Sequence, residues 1–563
     1  MKAIFFNRVW VLPVLIALIV HLPVLWGGFV YDDVPLIEKH KLLGDSGFIV
    51  DVWTRDYGLE FTGDEVGYYR PLFMSMVAAL RQLFGVAPVV FHLFSLFWFA
   101  VAAGLVASVL RLAMASFSGG ERNSSAAATV AVVGGVFYAV HPMRVETVSL
   151  VMSLPDLLVE ILALWLVWSV LQSRQKSGHV WVATVVGLVA AMAGGLIKES
   201  AFFLFGGIGI TLAVGGWWLR DERGRLWGRA AGCFFGLGVD LMIRRVVGII
   251  SPSSLHDILN GMFNLHSEAV LKSMVLTVWS FLVPQSAIFW RLFGGDASLV
   301  LGAVVLAVFV VAGVYWLWLL KNGYLFAAIM VGWFCMLSVS MAIPVAVGCP
   351  YSQRYIAVAP LVILVCLGGW VLWKKAAGMV DSSRYSVLLL MLIAYFGLHG
   401  VFCMASSVQC WSQYSFFMGI QRENPQDVKP IGAVAQALDA DGAKTSEIER
   451  WVRYATDVDL SHEQVTLLHN MVIKRYIGEC DYQNALRFVN WSLTMFAHDR
   501  DKRALRAAAL GGLGQYEESL DVLDELIKQD PTNEAYSNLR RQIRAKRDAE
   551  MVTKNGDSPV KEE

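Results

Sequence analysis

The sequence predicts an all-α protein: a polytopic membrane domain followed by a smaller domain of helical repeats. Three observations predict it. Of 563 residues, 56% are hydrophobic and 16% charged, and the mean hydropathy is +0.55, more apolar surface than a soluble chain of this length can bury. The apolar residues gather in long runs with short polar joints as far as about Ser406. From Gln421 onward the chain turns charged and carries a 34-residue repeat. The net charge of zero gives no argument for nucleic acid. The seven cysteines (Cys233, Cys335, Cys349, Cys366, Cys403, Cys410 and Cys480) form no CxxC or Cys/His group, so neither a disulfide framework nor a zinc site is expected.

The first apolar run, 9–30, follows Lys2 and Arg8, is too long for a signal-peptide core and lacks an A-x-A site, so an uncleaved anchor is expected. Further runs lie near 88–110, 126–141, 156–172, 180–197, 200–219, 230–250, 297–320, 324–346, 355–373 and 384–405. Roughly 20 apolar residues cross a bilayer, which gives about eleven crossings. A run at 270–290, interrupted by Lys272 and Pro284, reads as re-entrant or interfacial. The excess of Lys and Arg on cytoplasmic loops supports this. Arg111/Arg122, Arg174/Lys176 and Arg220/Arg223/Arg225 then fall inside, and Lys321 and Lys374-Lys375 do so only if 270–290 does not cross. The carboxyl-terminal domain and the long first loop from Tyr31 to about Val86 fall outside. Within that loop, the apolar stretch ending at Phe84 is too short to span and is expected to lie in the interface.

Six polar clusters share the outer face: Tyr31-Asp32-Asp33, Tyr69-Arg70-Pro71-Leu72, Phe91-His92-Leu93, His141-Pro142 with Arg144, Glu146 and Asp156, Lys198-Glu199, and Arg354-Tyr355. Ionisable residues at a membrane are costly and are candidates for function. Each has a plainer reading. The Asp pair can be merely solvated, and His92 can end a helix with a satisfied hydrogen bond. His141-Pro142 can terminate a helix, Arg144 and Glu146 can form a surface pair, and Arg354 can anchor the interface. Lys198-Glu199 resists such a reading, because almost no loop separates the apolar runs on either side.

In the tail, Gly478-Glu479-Cys480-Asp481-Tyr482-Gln483-Asn484-Ala485-Leu486 aligns with Gly512-Leu513-Gly514-Gln515-Tyr516-Glu517-Glu518-Ser519-Leu520, so Tyr482 and Tyr516 lie 34 residues apart, the tetratricopeptide period. Ala485 and Ser519 are the small residues at which paired helices should touch, and Asp530-Pro531 closes the second unit. An ordinary pair of helical hairpins is the simpler alternative. A repeat stack offers a groove for an extended peptide or a partner protein. The triplet Asn490-Trp491-Ser492 matches an N-glycosylation sequon within an expected helix.

Taken in order, the six clusters resemble the membrane half of the transmembrane-and-tetratricopeptide protein O-mannosyltransferases and their bacterial relatives, members of the GT-C glycosyltransferases. The resemblance covers nearly the whole chain, since that family carries tetratricopeptide repeats after its last crossing. It implies a GT-C-like catalytic domain over 1–405 and a repeat domain over 446–547; by composition the stretch 406–445 between them reads as a linker and the polar end, 548–563, as a disordered tail. It also implies an inverting transfer of a mannose-like sugar from a polyprenyl-phosphate donor to a hydroxyl, at the extracytoplasmic face of the inner membrane. Asp32 is the implied base, with Asp33 beside it to orient or tune it. Arg70, His92, His141, Arg144, Glu146, Asp156, Lys198, Glu199, Arg354 and Tyr355 are implied in binding donor phosphate or sugar, and Arg244 or Arg245 could add charge. No cofactor is implied, and two carboxylates alone make a poor Mg²⁺ site.

The chain departs from the family pattern in four respects: Arg144 stands for a second His, Leu154 for an Arg, Gln353 for a Glu, and Ile356-Ala357 where a second Tyr is usual. These departures bear on the sugar and the acceptor. Protein Ser/Thr is the first acceptor expected, and a lipid-linked glycan or envelope polymer the second. A lipid or glycan transporter, with ionisable groups near the midplane, and a scaffold with a degenerate catalytic face are the rival classes.

Overall fold

The computed structural model describes residues 8–40, 42–54, 69–117, 125–173, 179–249, 281, 311, 313–346, 358–376, 382–423, 429–457 and 462–556. Every regular element among them is helical. The chain divides into two units, Met1–Ser412 and Gln413–Glu563.

The first unit begins with α1 (Val11–His21), which tightens into a 3₁₀ turn over Leu22–Trp26. Pro23 has no amide hydrogen and its ring clashes with the carbonyl four residues back, so the α-helix closes before it. Then α2 (Pro71–Phe84) starts on a proline at its first position and ends at Gly85, whose φ of +69° favours glycine. Next come α3 (Pro88–Phe117) and α4 (Ser125–Ala139). His141 is extended before Pro142, as a residue preceding proline should be. The chain bends by 57° there and continues through a 3₁₀ turn into the short α5 (Val145–Ser149). Longer helices follow: α6 (Leu154–Ser173), α7 (Val180–Ile197), α8 (Ser200–Trp218), α9 (Arg223–Val246), α10 (Leu325–Ala346), α11 (Val358–Ala376) and α12 (Ser382–Gln409).

Among the described residues, five helices are long and apolar enough to cross a membrane, and six if the bent pair around His141 is one span. The segments Val11–Trp26, Leu325–Met336, Val358–Val371 and Ala394–Val408 are apolar but shorter. The runs expected at 270–290 and 297–320 lie almost wholly outside the described residues.

Helix α3 packs on α1, α4 and α6, and α1 also on α4, while α7, α8 and α9 form a second group joined to the first through α6. Helix α10 lies on α8, and α11 links α10 back to α4. Helices α7 and α9 approach each other closely. A Cβ added at Gly232 would fall 2.1 Å from the Thr184 carbonyl oxygen, and one at Gly187 would fall 2.3 Å from that of Arg229. With little hydrophobic force between helices in lipid, such small-residue seams let backbones pack directly.

The second unit is a row of antiparallel helices: α13 (Gln413–Glu423), α14 (Lys429–Ala440), α15 (Thr445–Asp457), α16 (His462–Gly478), α17 (Tyr482–Met495), α18 (Arg500–Gly512), α19 (Tyr516–Gln529) and α20 (Glu534–Gly556). Tyr482 and Tyr516 each open a helix. Ala485 and Ser519 are both fully buried, and the Ser519 hydroxyl donates to the Ala507 carbonyl at 2.7 Å. Alternate helices also touch, α14 to α16, α16 to α18 and α18 to α20, which makes the row a stack. Ser492 of the sequon is buried, 2.7 Å from His469 Nδ1, so its hydroxyl is withdrawn from any enzyme once α17 has formed.

Two boundaries differ from the sequence reading. Much of the expected linker over 406–445 is helical, because Ile431, Val434, Ala435 and Leu438 give α14 an apolar face that joins the unit's core. Helix α20 runs on to Gly556, into the segment expected to be disordered.

Candidate active site

The segment after α1 is fixed by three hydrogen bonds. The Gly28 amide donates to the Trp411 carbonyl at 2.9 Å, the indole of Trp411 donates to the Pro23 carbonyl at 2.8 Å, and His92 Nε2 meets the Gly28 carbonyl at 3.2 Å. His92 is fully buried, and its visible work is to hold this segment. Tyr31 follows with φ of +53°, a left-handed conformation costly for a residue other than glycine. Such strain persists only where surrounding contacts impose it.

Two residues on, Asp33 anchors the same loop. Its carboxylate is buried and accepts from the backbone amides of Val151 at 2.9 Å and Met152 at 2.8 Å. These amides open the 3₁₀ turn Val151–Ser153 that leads into α6. The first N–H groups of a helix have no partner within it, so a carboxylate from elsewhere in the chain can cap them. Burial pushes the Asp33 carboxyl up to about 7, against the pull of the two amides and with a further push from Asp32.

Asp32, next in the chain, keeps open surface. Protein atoms nonetheless crowd around it, and this desolvation raises its pKa above the ordinary carboxylate value, opposed by the charges of Arg70 and Lys198. One carboxylate of the pair is thus anchored and the other presented.

Around Asp32, cations and anions alternate. Arg70 Nε donates to Glu199 at 2.9 Å, and the Tyr69 amide reaches the other Glu199 oxygen at 3.3 Å. Arg244 lies 3.7 Å from Glu199, donates to Asp240 at 3.0 Å, and donates to the carbonyls of Tyr69 and Gly195 at 2.9 and 2.8 Å. Lys198 pairs with Asp156, and Ser200 lies 3.5 Å from the other Asp156 oxygen. Burial would push the Glu199 carboxyl up, but Arg70 and Arg244 outweigh it and hold the group below its usual range. Burial lowers the Lys198 ammonium, and Asp156 only partly restores it.

Asp32, Asp33, Arg70, Asp156, Lys198 and Glu199 are therefore brought together. Other residues singled out from the sequence lie elsewhere or do other work. His141 is buried: its Nδ1 accepts from the Met143 amide at 3.3 Å, its Nε2 meets the Phe281 carbonyl at 3.0 Å, and its ring stacks on that of Phe281 at 4.8 Å. Arg144 is buried against Glu160 rather than placed at a surface. Glu146 is exposed on α5. Arg354 and Tyr355 lie outside the described residues.

Asp240 and Glu160 were not singled out from the sequence. Each is an acid inside an apolar run, and Asp240 sits four residues before Arg244, one helical turn away; that was the available signal. An apolar groove of about 560 Å³ between α1 and α3, lined by Trp10, Val14, Leu18, Leu93 and Phe97 among others, has no ionisable residue in its lining. Among the described residues no three His, Cys, Asp or Glu side chains cluster as metal ligands would. No known protein family, curated protein or solved structure matches the chain.

Proposed function

We propose that the chain is an integral membrane glycosyltransferase of GT-C type, moving a mannose-like sugar from a polyprenyl-phosphate donor to a hydroxyl, with protein Ser/Thr as first acceptor. The observation that carries this reading is the division of the acid pair: Asp33 is tied to the Val151–Ser153 turn, while Asp32 stands open within electrostatic reach of Arg70 and Lys198. In an inverting transfer the acceptor oxygen attacks the anomeric carbon and Asp32 takes its proton. The bond to phosphate breaks, and the leaving phosphate carries off the electron pair. Nearby cations favour that departure. Lys198 has three N–H donors and commits one to Asp156.

The reading includes about eleven crossings, a site and a carboxyl-terminal domain both extracytoplasmic, and location in the inner membrane. In it the second unit is a tetratricopeptide stack that binds the acceptor.

A second reading, transport of a lipid-linked glycan, draws on two ion pairs: Asp240–Arg244 within α9, and Arg144–Glu160, which joins the turn after α4 to α6. Transport paths use ionisable groups that face a cavity, whereas Arg144 and Glu160 are wholly buried.

Asp32→Asn tests the proposal. It keeps the shape and removes the base, so transfer by purified protein should fall by at least about 10²-fold, the usual scale of general-base loss. Asp33→Asn keeps an acceptor oxygen and should cost less. Because the Asp32 pKa is raised and the base must be ionised, kcat/KM should fall on acidification from a pH above the ordinary carboxylate range. Near-normal transfer by Asp32→Asn would remove the base assignment; substrate movement across proteoliposomes without sugar transfer would favour the second reading.

A further inference from the structure

The break between α4 and α6 is closed at its base by three side chains. Arg144, in the turn after the bend, donates through Nη2 to Glu160 Oε1 on α6, and both side chains are 0% exposed. The Tyr138 hydroxyl, near the end of α4, donates to Glu160 Oε2 at 3.2 Å. The Arg144 guanidinium lies over the Tyr138 ring, 4.2 Å from its centre. The cage therefore joins the end of α4, the turn that follows and the second turn of α6.

Its place in the fold gives it more than local meaning. Between Arg144 and Glu160 the chain forms α5, an extended residue at Leu150 and the turn Val151–Ser153. The amides of Val151 and Met152 hold Asp33. Where α5 sits against α6 decides where those two N–H groups point, and Arg144–Glu160 ties the start of that excursion to α6. Asp33 in turn holds the loop on which Tyr31 is strained and Asp32 is presented.

We propose that Arg144 and Glu160, with Tyr138, are positioning residues that set the Val151–Ser153 turn and through it the orientation of Asp32. Arg144 then acts on the reaction without touching donor or acceptor. The consequence for sugar transfer rests on the function proposed above; the consequence for the turn does not.

The experiment uses full-length protein and the paired substitution Arg144→Met/Glu160→Leu. A buried ion pair replaced by well-packed apolar residues often leaves stability unchanged, so this variant can insert and fold where either single change would strand a buried charge. Hydrogen exchange is followed in the peptide spanning 148–155 and, for comparison, in peptides of α7 and α9. The expected result is exchange at Val151 and Met152 at least about ten-fold faster, with α7 and α9 unchanged. Turnover should fall by a similar factor with the KM for each substrate unchanged, since bound geometry is lost rather than binding. Tyr138→Phe provides the second variant: it removes only the hydroxyl's bond to Glu160, leaves the ion pair intact, and should fall between wild type and the pair.

Wild-type protection at Val151 and Met152 in both variants would overturn the proposal. So would equal loss of protection throughout the unit, which marks a general stabilising role. Faster exchange at the turn in a protein whose wild type transfers no sugar would leave the positioning of the turn standing and remove the glycosyltransferase reading instead.

Discussion

Asp32 and Asp33 are chemically identical neighbours, and their surroundings separate them. Asp33 spends both oxygens on backbone amides at 2.8–2.9 Å, while Asp32 is left with open surface. A comparable effect of environment governs His469 in the second unit. It is buried between Ser492 and Thr456, with Nδ1 and Nε2 at 2.7 and 2.8 Å from their hydroxyls. Burial, then the charges of Lys502 and Arg453, push its pKa from 6.5 down to about 3. A base whose folded pKa is depressed contributes stability above its unfolded pKa and loses it as pH falls, because only the unfolded chain takes up the proton. The window is therefore from about pH 6.5 downward, and at pH 5 the loss should reach about 2 kcal/mol. Urea titration of the full chain with pulsed hydrogen exchange over 462–512 should show this slope, and His469→Gln should flatten it. An identical slope in the variant would place the acid sensitivity elsewhere.

At the scale of elements, close packing of α7 on α9 positions half of the charged cluster. Lys198 and Glu199 follow α7, and Asp240 and Arg244 lie on α9. A Cβ at Gly195 would come 2.7 Å from Asp240 Oδ2, so the ion pair depends on a bare backbone opposite it. Gly232→Ala would set a methyl 2.1 Å from the Thr184 carbonyl oxygen, which is backbone and cannot rotate away. The helices must separate, and the cost should be the roughly 1–3 kcal/mol of overpacking. Gly238, on the same helix, has nothing within 4 Å of its would-be Cβ. Gly238→Ala should therefore be neutral or stabilising by up to about 1 kcal/mol. Denaturation midpoints of the two variants in mixed detergent should move in opposite directions or differ clearly; equal shifts would deny the seam its role.

For the whole molecule the open quantity is sidedness. The proposed topology puts Asp33 and Tyr516 on the outside and Arg223 and Lys374 within. Single cysteines placed near these positions should be labelled by an impermeant reagent in intact cells at the first two and, at the other two, only after permeabilisation. Labelling near Tyr516 only from within would mean that the 270–290 run crosses and that the count of spans is even. The acceptor role proposed for the second unit would then fall with it, while the base assignment of Asp32 would not.

The helical class, the positions of the apolar runs, the acid pair beyond the first run and the 34-residue repeat are all legible along the linear chain. All are one-dimensional properties: apolar length, periodicity, and the effects of proline and glycine on the residues beside them. Pro23 and Pro142 mark the end of α1 and the bend after α4 in the same way. Which charge meets which is settled by the packing of the helices. Asp33 finds its amides 118 and 119 residues away, Arg70 meets Glu199 across 129, and Arg244 reaches the Tyr69 carbonyl across 175. No local pattern encodes such pairings, because they follow from how the helices pack. For the same reason Arg144, which resembles a surface or ligand-binding arginine when read beside Glu146, is held by Glu160 in the interior. Asp240 and Glu160 stood in the sequence as acids in apolar runs, and their partners became visible only when the helices were set side by side.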